Sequence, residues 1–179
     1  MAAELGIKTK ANIVMSGEHH ANRIKKLLDK YSESVSIRIL EDLDVGYSSA
    51  ISIYNLLADL KAVPVKRKFD AGASNAQTIF RLQNGREIGF KQIRMTRLSN
   101  VCNTCTLNNP NDCKEGYYGV RVYTDDKGDY KVGVCLQRMD LTVPIEDFMN
   151  SDIPESIKLL RQKEFEEMVQ EYGDKAVII

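Results

Sequence analysis

The sequence predicts an α/β fold, and three observations lead to this class. Segments rich in apolar and β-branched residues alternate with helical segments up to about residue 75. Two pairs of short strand-like segments follow, and each pair flanks a turn of the kind that joins hairpin strands. A helical pattern then closes the chain. Because 43% of the 179 residues are hydrophobic, the chain has enough apolar material to form a core.

The alternating part predicts three strands with two helices between them. Strands are expected at residues 7–15, 35–40 and 63–69, and helices at residues 20–31 and from Ser48 or Ser49 to Leu60. A βαβαβ order of this kind predicts a parallel sheet with helices packed against it.

The later part predicts two hairpins and a helix. The first hairpin pairs residues 77–82 with residues 87–93 around Asn84-Gly85, which is a strong hairpin signal. The second pairs residues 117–124 with residues 130–136, and a helix is expected at residues 154–172.

Charge and hydropathy exclude several classes of function. Lysine plus arginine and aspartate plus glutamate both number 25, and this balance argues against general nucleic-acid binding. No apolar run approaches the roughly 20 residues of a membrane span, and the opening residues have no signal-peptide core. We therefore expect a cytoplasmic protein without a membrane partner. The stretch from Lys61 to Val101 is basic, which suits either a small anionic ligand or a solvated strand face.

The four cysteines are the strongest functional signal in the sequence. Cys102, Cys105, Cys113 and Cys135 follow the spacing C-x2-C-x7-C-x21-C. Disulfides are rare in the cytoplasm, so this grouping favours a metal site over disulfides or structural thiols. Four thiolates suit tetrahedral zinc and a 4Fe-4S cluster alike, and the spacing does not separate the two.

Several blocks of this sequence resemble one family of enzymes. They are KTKANIV at residues 8–14, IRILEDLDVG at 37–46, FRLQNGREIGF at 80–90, Cys102-Asn-Thr-Cys105, YGVRVY at 118–123 and VCL at 134–136. In this order they resemble the C-terminal region of the GTP 3',8-cyclase family, the radical S-adenosylmethionine enzymes that open molybdenum cofactor biosynthesis. The resemblance covers residues from about 3 to about 140.

The resemblance implies a fold and a division of the chain. In the family, a partial TIM-like barrel carries a C-x3-C-x2-C motif whose cluster cleaves S-adenosylmethionine, and a C-terminal extension holds an auxiliary cluster. The expected parts here are a half-barrel at residues 1–75, a metal-binding extension at 76–145 and a helical tail at 146–179.

The resemblance also implies roles for individual residues. Lys10, Arg38 and Arg121 would bind a small anionic substrate such as a nucleotide. Asn12 and Leu43 lie near positions that hold S-adenosylmethionine. Cys102, Cys105 and Cys135 would bind a 4Fe-4S cluster, with Cys113 as a candidate fourth ligand.

Three departures from the family pattern affect these expectations. This chain has no C-x3-C-x2-C motif, so the part that generates the radical is missing from it. Gly119 stands where the family has a further substrate-binding arginine, which puts recognition of GTP in question. Cys113 belongs to an insertion at residues 106–116 and could occupy the iron that the family leaves open to substrate.

Two hypotheses of function follow. In the first, the chain is the substrate-binding and auxiliary-cluster portion of a radical S-adenosylmethionine enzyme and does not catalyse alone. We would then expect it to bind a separate N-terminal half or to self-associate, through pairing at the edge of its first strand or through packing of a sheet face. In the second, it is a small four-cysteine zinc or iron-sulfur module with a structural or interaction role.

Overall fold

A computed structural model describes residues 5–31 and 35–172, apart from the side chain of Tyr172. It contains the following strands and helices: β1 Thr9–Met15, α1 Ala21–Lys30, β2 Val35–Glu41, α2 Tyr47–Asp59, β3 Val63–Phe69, β4 Asn75–Arg81, β5 Glu87–Ile93, α3 Ser99–Cys102, β6 Arg121–Thr124, β7 Tyr130–Gly133, β8 Val143–Pro144, α4 Ile145–Asn150 and α5 Ile153–Tyr172. Single turns of 3-10 helix lie at Glu18–His20 and Met139–Leu141. The predicted α/β class is confirmed as a mixed α/β structure.

The chain divides into two compact units. The first consists of Met1–Phe69 and Asn75–Ile93, and the second of Asp70–Ser74 and Arg94–Ile179. The hairpin β4–β5, expected in the extension, therefore lies in the first unit. The rest of the expected extension shares the second unit with the helical tail.

The first unit is built on one five-stranded sheet in the order β1-β2-β5-β4-β3. β1 and β5 run parallel to β2 on either side of it. β4 is antiparallel to β5, and β3 is antiparallel to β4. The described strands make an open mixed sheet, not a closed barrel, with β1 and β3 at its two edges.

The expected parallel position of β3 is wrong, although its bounds are those predicted. The β4–β5 hairpin, turning at Asn84-Gly85, places β5 beside β2 and leaves β3 as an antiparallel edge strand. The sequence of β3 suits an edge, because Pro64 cannot donate to a second neighbour and Lys66 and Lys68 discourage further pairing. All of β3 except Phe69 is exposed.

The core of the first unit lies between the sheet and its two helices. It comprises Met15, Ile24, Leu28, Ile37, Ile39, Ala50, Ile53, Leu56, Leu57, Phe80, Ile88 and Phe90. The Tyr54 and Phe90 rings meet edge to face, with their centres 5.3 Å apart. Since β1 and β2 alternate in burial, one face of the sheet packs against the helices.

Arg86 connects helix α1 to the hairpin within the first unit. Its side chain is only 6% exposed. Its Nη1 donates to the carbonyl oxygens of Leu28, at 2.5 Å, and Tyr31, at 2.7 Å, and its Nη2 donates to that of Val35, at 3.1 Å. A buried cation bonded to the last carbonyls of a helix satisfies groups that the helix itself leaves unpaired.

The second unit has its own small sheet and core. The strands are ordered β6-β7-β8 and all pairs are antiparallel. The core contains Leu98, Tyr117, Val132, Val134 and Phe148, with Ile153, Ile157 and Leu160 of α5 partly buried against it. The acidic C-terminal helix therefore contributes one apolar side to this core.

Backbone contacts in the second unit hold α5 against residues 70–74. The amide of Gly72 donates to Glu164 Oε2 at 2.7 Å, and Arg94 also pairs with this carboxylate. A Cβ on Gly72 would lie 2.8 Å from Arg161 Cα and 2.9 Å from its amide nitrogen. Only a glycine permits the helix backbone to approach this closely.

No helix within residues 5–31 and 35–172 combines the length and the apolar character needed to cross a membrane.

Candidate metal centre

The four cysteines come from three neighbouring segments of the second unit. Cys102 is the last residue of α3, and its amide donates to Leu98 O at 2.7 Å. Cys105 follows in the next turn, where its amide donates to Cys102 O at 3.1 Å. Cys113 lies in the loop after it, and Cys135 lies two residues beyond the end of β7. The second hairpin thus places Cys135 just after its second strand, which the sequence predicts to extend to residue 136.

All four cysteines line a single pocket. Its apolar wall includes Leu98, Val101, Leu107, Tyr117, Val134 and Leu141. The thiols are free, with Cys113 buried and the other three partly exposed. The structure therefore brings together the four residues that the spacing singled out, in surroundings of low polarity.

Arg97 secures the loop that carries Cys113. Its Nη2 donates to Cys113 O at 3.1 Å, and its Nε donates to Asn108 Oδ1 at 3.0 Å. The loop is closed further by Asn109 Oδ1, which accepts from the amides of Asn111 and Asp112. These bonds define the path of the insertion and so the place of Cys113 in the pocket wall.

Arg138 is a second cation at the pocket. Its Nη1 donates to Cys105 Sγ at 3.6 Å, and its Nε and Nη2 bind the Asp140 carboxylate. The hydrogen bonds to Asp140 and then to Cys105 raise the pKa of Arg138. The sequence alone did not point to this residue, since its only signal was a position three residues after the last cysteine.

Burial is the main influence on the electrostatics of the Cys102 thiol. It raises the pKa of this thiol, the backbone hydrogen bond with Leu98 and the charge of Arg97 lower it, and the neighbouring Cys113 and Cys135 raise it to a smaller extent. Thiolates that repel one another in an apolar pocket are stabilised by a bound cation. Within residues 5–31 and 35–172, however, no group of three or more His, Cys, Asp or Glu side chains is placed so that it could hold a metal ion. The metal site stays a prediction.

Lys10, Asn12 and Arg38 share one face of the five-stranded sheet. Lys10 and Asn12 alternate along β1, and Asn12 is paired in register with Arg38 of β2. This face is opposite to the one that packs against α1 and α2. Gly89 pairs with Arg38 on the next strand, and a Cβ there would lie 3.6 Å from Arg38 Cγ. The same Cβ would clash with Gln77 Nε2, so the space beside Gly89 is occupied by the Gln77 side chain, and Arg38 Cγ lies at ordinary contact distance.

The other two predicted residues lie in different surroundings. Leu43 is partly exposed in the turn between β2 and α2. Arg121 belongs to β6 of the second unit, and its guanidinium carbon lies 5.3 Å from the centre of the Tyr118 ring. The other predicted binding residues, Lys10, Asn12, Arg38 and Leu43, all belong to the first unit.

Two of the predicted substrate-binding arginines have unused donors. Arg38 Nε and Arg121 Nη1 are buried atoms without a hydrogen-bond partner among the residues described. A buried guanidinium nitrogen without an acceptor is costly, and a bound anion would satisfy it.

Comparison of this chain with family models, with curated proteins and with solved structures gives no match.

Proposed function

We propose that this chain is the substrate-binding and auxiliary 4Fe-4S portion of a radical S-adenosylmethionine enzyme similar to GTP 3',8-cyclase. On this proposal the first unit supplies half of a partial TIM-like barrel, and the second supplies the metal-binding extension. The chain works in the cytoplasm and does not catalyse alone.

One observation carries the proposal: four free thiols from three segments line a single pocket. Thiolates are the ligands of iron-sulfur clusters, so the chemistry of these four donors suits the group that the resemblance implies. Cys102, Cys105 and Cys135 would hold it, with Cys113 as a candidate fourth ligand. When bound, such a cluster would supply an electron-accepting centre.

The substrate-binding part of the proposal is supported by the unpartnered donors of Arg38 and Arg121. In the first unit, Arg38 and the exposed Lys10 suit a small anion with phosphate or carboxylate oxygens, and in the second unit Arg121 suits one by itself. In a complete enzyme, Asn12 and Leu43 would lie near S-adenosylmethionine.

Anaerobic reconstitution with iron and sulfide tests the proposal directly. The expected product is brown, with a broad visible absorption band and about four irons per chain. A colourless protein that takes up zinc instead would support the second function, a structural zinc module. That alternative is favoured by the second unit having its own core around the pocket. A chain that binds neither metal would contradict both.

The reconstituted chain is expected neither to bind S-adenosylmethionine tightly nor to cleave it. Reductive cleavage needs a dedicated three-cysteine motif with an open iron, and all four cysteines of this chain line the one pocket. The measurement is the yield of 5'-deoxyadenosine with dithionite under anaerobic conditions. Formation of this product by the purified chain would overturn the assignment.

The proposed partner is a polypeptide that carries the C-x3-C-x2-C motif or, in its absence, a second copy of this chain. β1 lies at the edge of the five-stranded sheet and is paired only with β2 among the strands described. Its outer backbone groups are available to another strand. Val14 is 51% exposed on this strand, so an apolar side chain accompanies the open edge.

The chain alone is therefore expected to self-associate at tens of micromolar. Val14→Lys should shift it toward monomer, because a charge on an edge strand opposes further pairing. The matched control is Val122→Lys, which alters a valine that is 57% exposed on the edge strand of the smaller sheet. Light scattering after size exclusion gives the mass, and a monomeric wild-type chain would contradict the prediction.

A further inference from the structure

Arg138 occupies a defined position beside one cysteine of the pocket. It lies in the segment that leaves β7 after Cys135, and its Nη1 donates to Cys105 Sγ at 3.6 Å. This distance is within the range of a hydrogen bond to sulfur. The segment after Cys135 therefore contacts the turn that carries Cys105.

Asp140 determines how the Arg138 guanidinium is oriented. Arg138 Nε donates to Asp140 Oδ1 at 2.8 Å, and Nη2 donates to Oδ2 at 2.7 Å. A two-point contact of this kind fixes a planar guanidinium in direction as well as in place. With these two nitrogens engaged, the remaining one is held toward the sulfur. The Arg138 side chain is 23% exposed, so solvent screens this contact only in part.

Arg97, the other arginine at the pocket, is used differently. Its Nη2 and Nε donate to Cys113 O and to Asn108 Oδ1. These contacts shape the loop, whereas the contact of Arg138 is with a ligand atom itself. The two cations are therefore expected to have separable effects.

We propose that Arg138 is a positioning residue that orients the Cys105 thiolate and makes the cluster easier to reduce. The inference rests on the proposed function, because it concerns the group that the four cysteines would hold. When the site accepts one electron from a reductant such as dithionite, its net charge becomes more negative by one. A cation bonded to a ligand sulfur stabilises that more negative state, and the apolar wall strengthens the effect.

The test compares three variants of the full chain after anaerobic reconstitution. Arg138→Gln removes the charge, Arg138→Lys keeps it without the planar fork, and Lys158→Gln is the control. Lys158 is an exposed residue of α5 in the same unit, and its replacement removes the same charge away from the pocket. The reduction potential is measured by titration with dithionite under electron paramagnetic resonance, and the loss of iron to a chelator is followed in parallel.

Arg138→Gln is expected to move the potential to a more negative value and to release iron at least about tenfold faster. Arg138→Lys should give a smaller shift in the same direction, and Lys158→Gln should match the wild type. A wild-type potential in Arg138→Gln overturns the inference and leaves the proposed function standing. If Arg138→Gln assembles no cluster, a wild-type potential in Arg138→Lys overturns the inference instead. A wild-type chain that takes up zinc or no metal overturns both the inference and the proposed function.

Discussion

Alanine in place of Cys135 is expected to abolish the uptake of iron by the chain. Cys135 follows β7 and lines the pocket together with Cys102 and Cys105. If these three residues are the cluster ligands and Cys113 is not one, removing one of them leaves two thiolates, which are too few to hold a cluster. Iron after reconstitution should fall from about four per chain to near zero, with loss of the visible absorption band. Cys102→Ala and Cys105→Ala should have the same effect.

Cys113→Ala separates the fourth cysteine from the other three. Cys113 is buried, with 8% of its surface exposed, and lines the same pocket. If it is the fourth ligand, its loss should leave a three-cysteine cluster that forms but is labile to chelator and oxygen. Unchanged metal content and stability in this variant would show that Cys113 is incidental to the site.

Thr104→Ala is the control for the cysteine variants. Thr104 is exposed in the same turn, between Cys102 and Cys105, and its side chain is no thiolate. The control should keep the wild-type iron content. Full iron content in Cys102→Ala, Cys105→Ala and Cys135→Ala would contradict the assignment of the ligands. If Thr104→Ala loses as much iron as the cysteine variants, the loss reflects disruption of the turn and not removal of a ligand.

The grouping of the cysteines could be predicted from the sequence because it depends on local features. Cys102 and Cys105 are separated by a single turn, and the hairpin at residues 125–128 returns the chain so that Cys135 follows its second strand. Gly128 has a φ of 87°, which suits a tight hairpin turn. Short-range turn chemistry of this kind is encoded within a few residues.

The partner of β3 could not be predicted in the same way. The bounds of β3 and the Asn84-Gly85 hairpin were predicted correctly, but the parallel position of β3 in the sheet was wrong. Which strand lies beside β2 is decided by packing of β5 side chains such as Phe90 into the core. Strand pairing of this kind depends on residues that are far apart in the sequence, so local sequence patterns do not predict it.

Arg138 and Gly116 were missed for a similar reason. A charge beside a sulfur depends on the path of the chain after Cys135, and Asp140 gives that charge its direction. The need for glycine at position 116 depends on Thr96, Arg97 and Ser74, which come from other segments. Only the three-dimensional arrangement brings these groups together.

Gly116→Ala is expected to destabilise the second unit by about 3 kcal/mol or more. Gly116 has a φ of 69°, where a side chain costs about 1–2 kcal/mol. An added Cβ would also press on the Thr96 carbonyl oxygen and lie 2.7 Å from Arg97 Nη1 and 2.8 Å from Ser74 Oγ. Overpacking of this kind costs about 1–3 kcal/mol. The free energy of unfolding is measured by urea denaturation under circular dichroism.

The damage should extend from stability to the metal centre, because the strained position lies in the wall of the cysteine pocket. The amide of Tyr117 donates to Thr96 O at 2.8 Å, and the amide of Ser74 donates to Tyr117 O at 2.8 Å. A Cβ at Gly116 would push apart the segments around Ser74, Thr96 and Tyr117 that these hydrogen bonds join. Both Gly116 and Tyr117 line the pocket. Iron uptake should therefore fall together with stability.

Gly128→Ala is the matched control, because it shares the positive φ but not the crowding. Gly128 has a φ of 87°, and nothing lies within 4 Å of an added Cβ. Its replacement should cost only the conformational strain of about 1–2 kcal/mol and should leave iron uptake unchanged. If Gly116→Ala proves no more costly than Gly128→Ala, the close approach of Thr96 to Gly116 does not limit stability. If it is costly but binds iron normally, the pocket wall tolerates the shift, and the link between packing and metal binding is wrong.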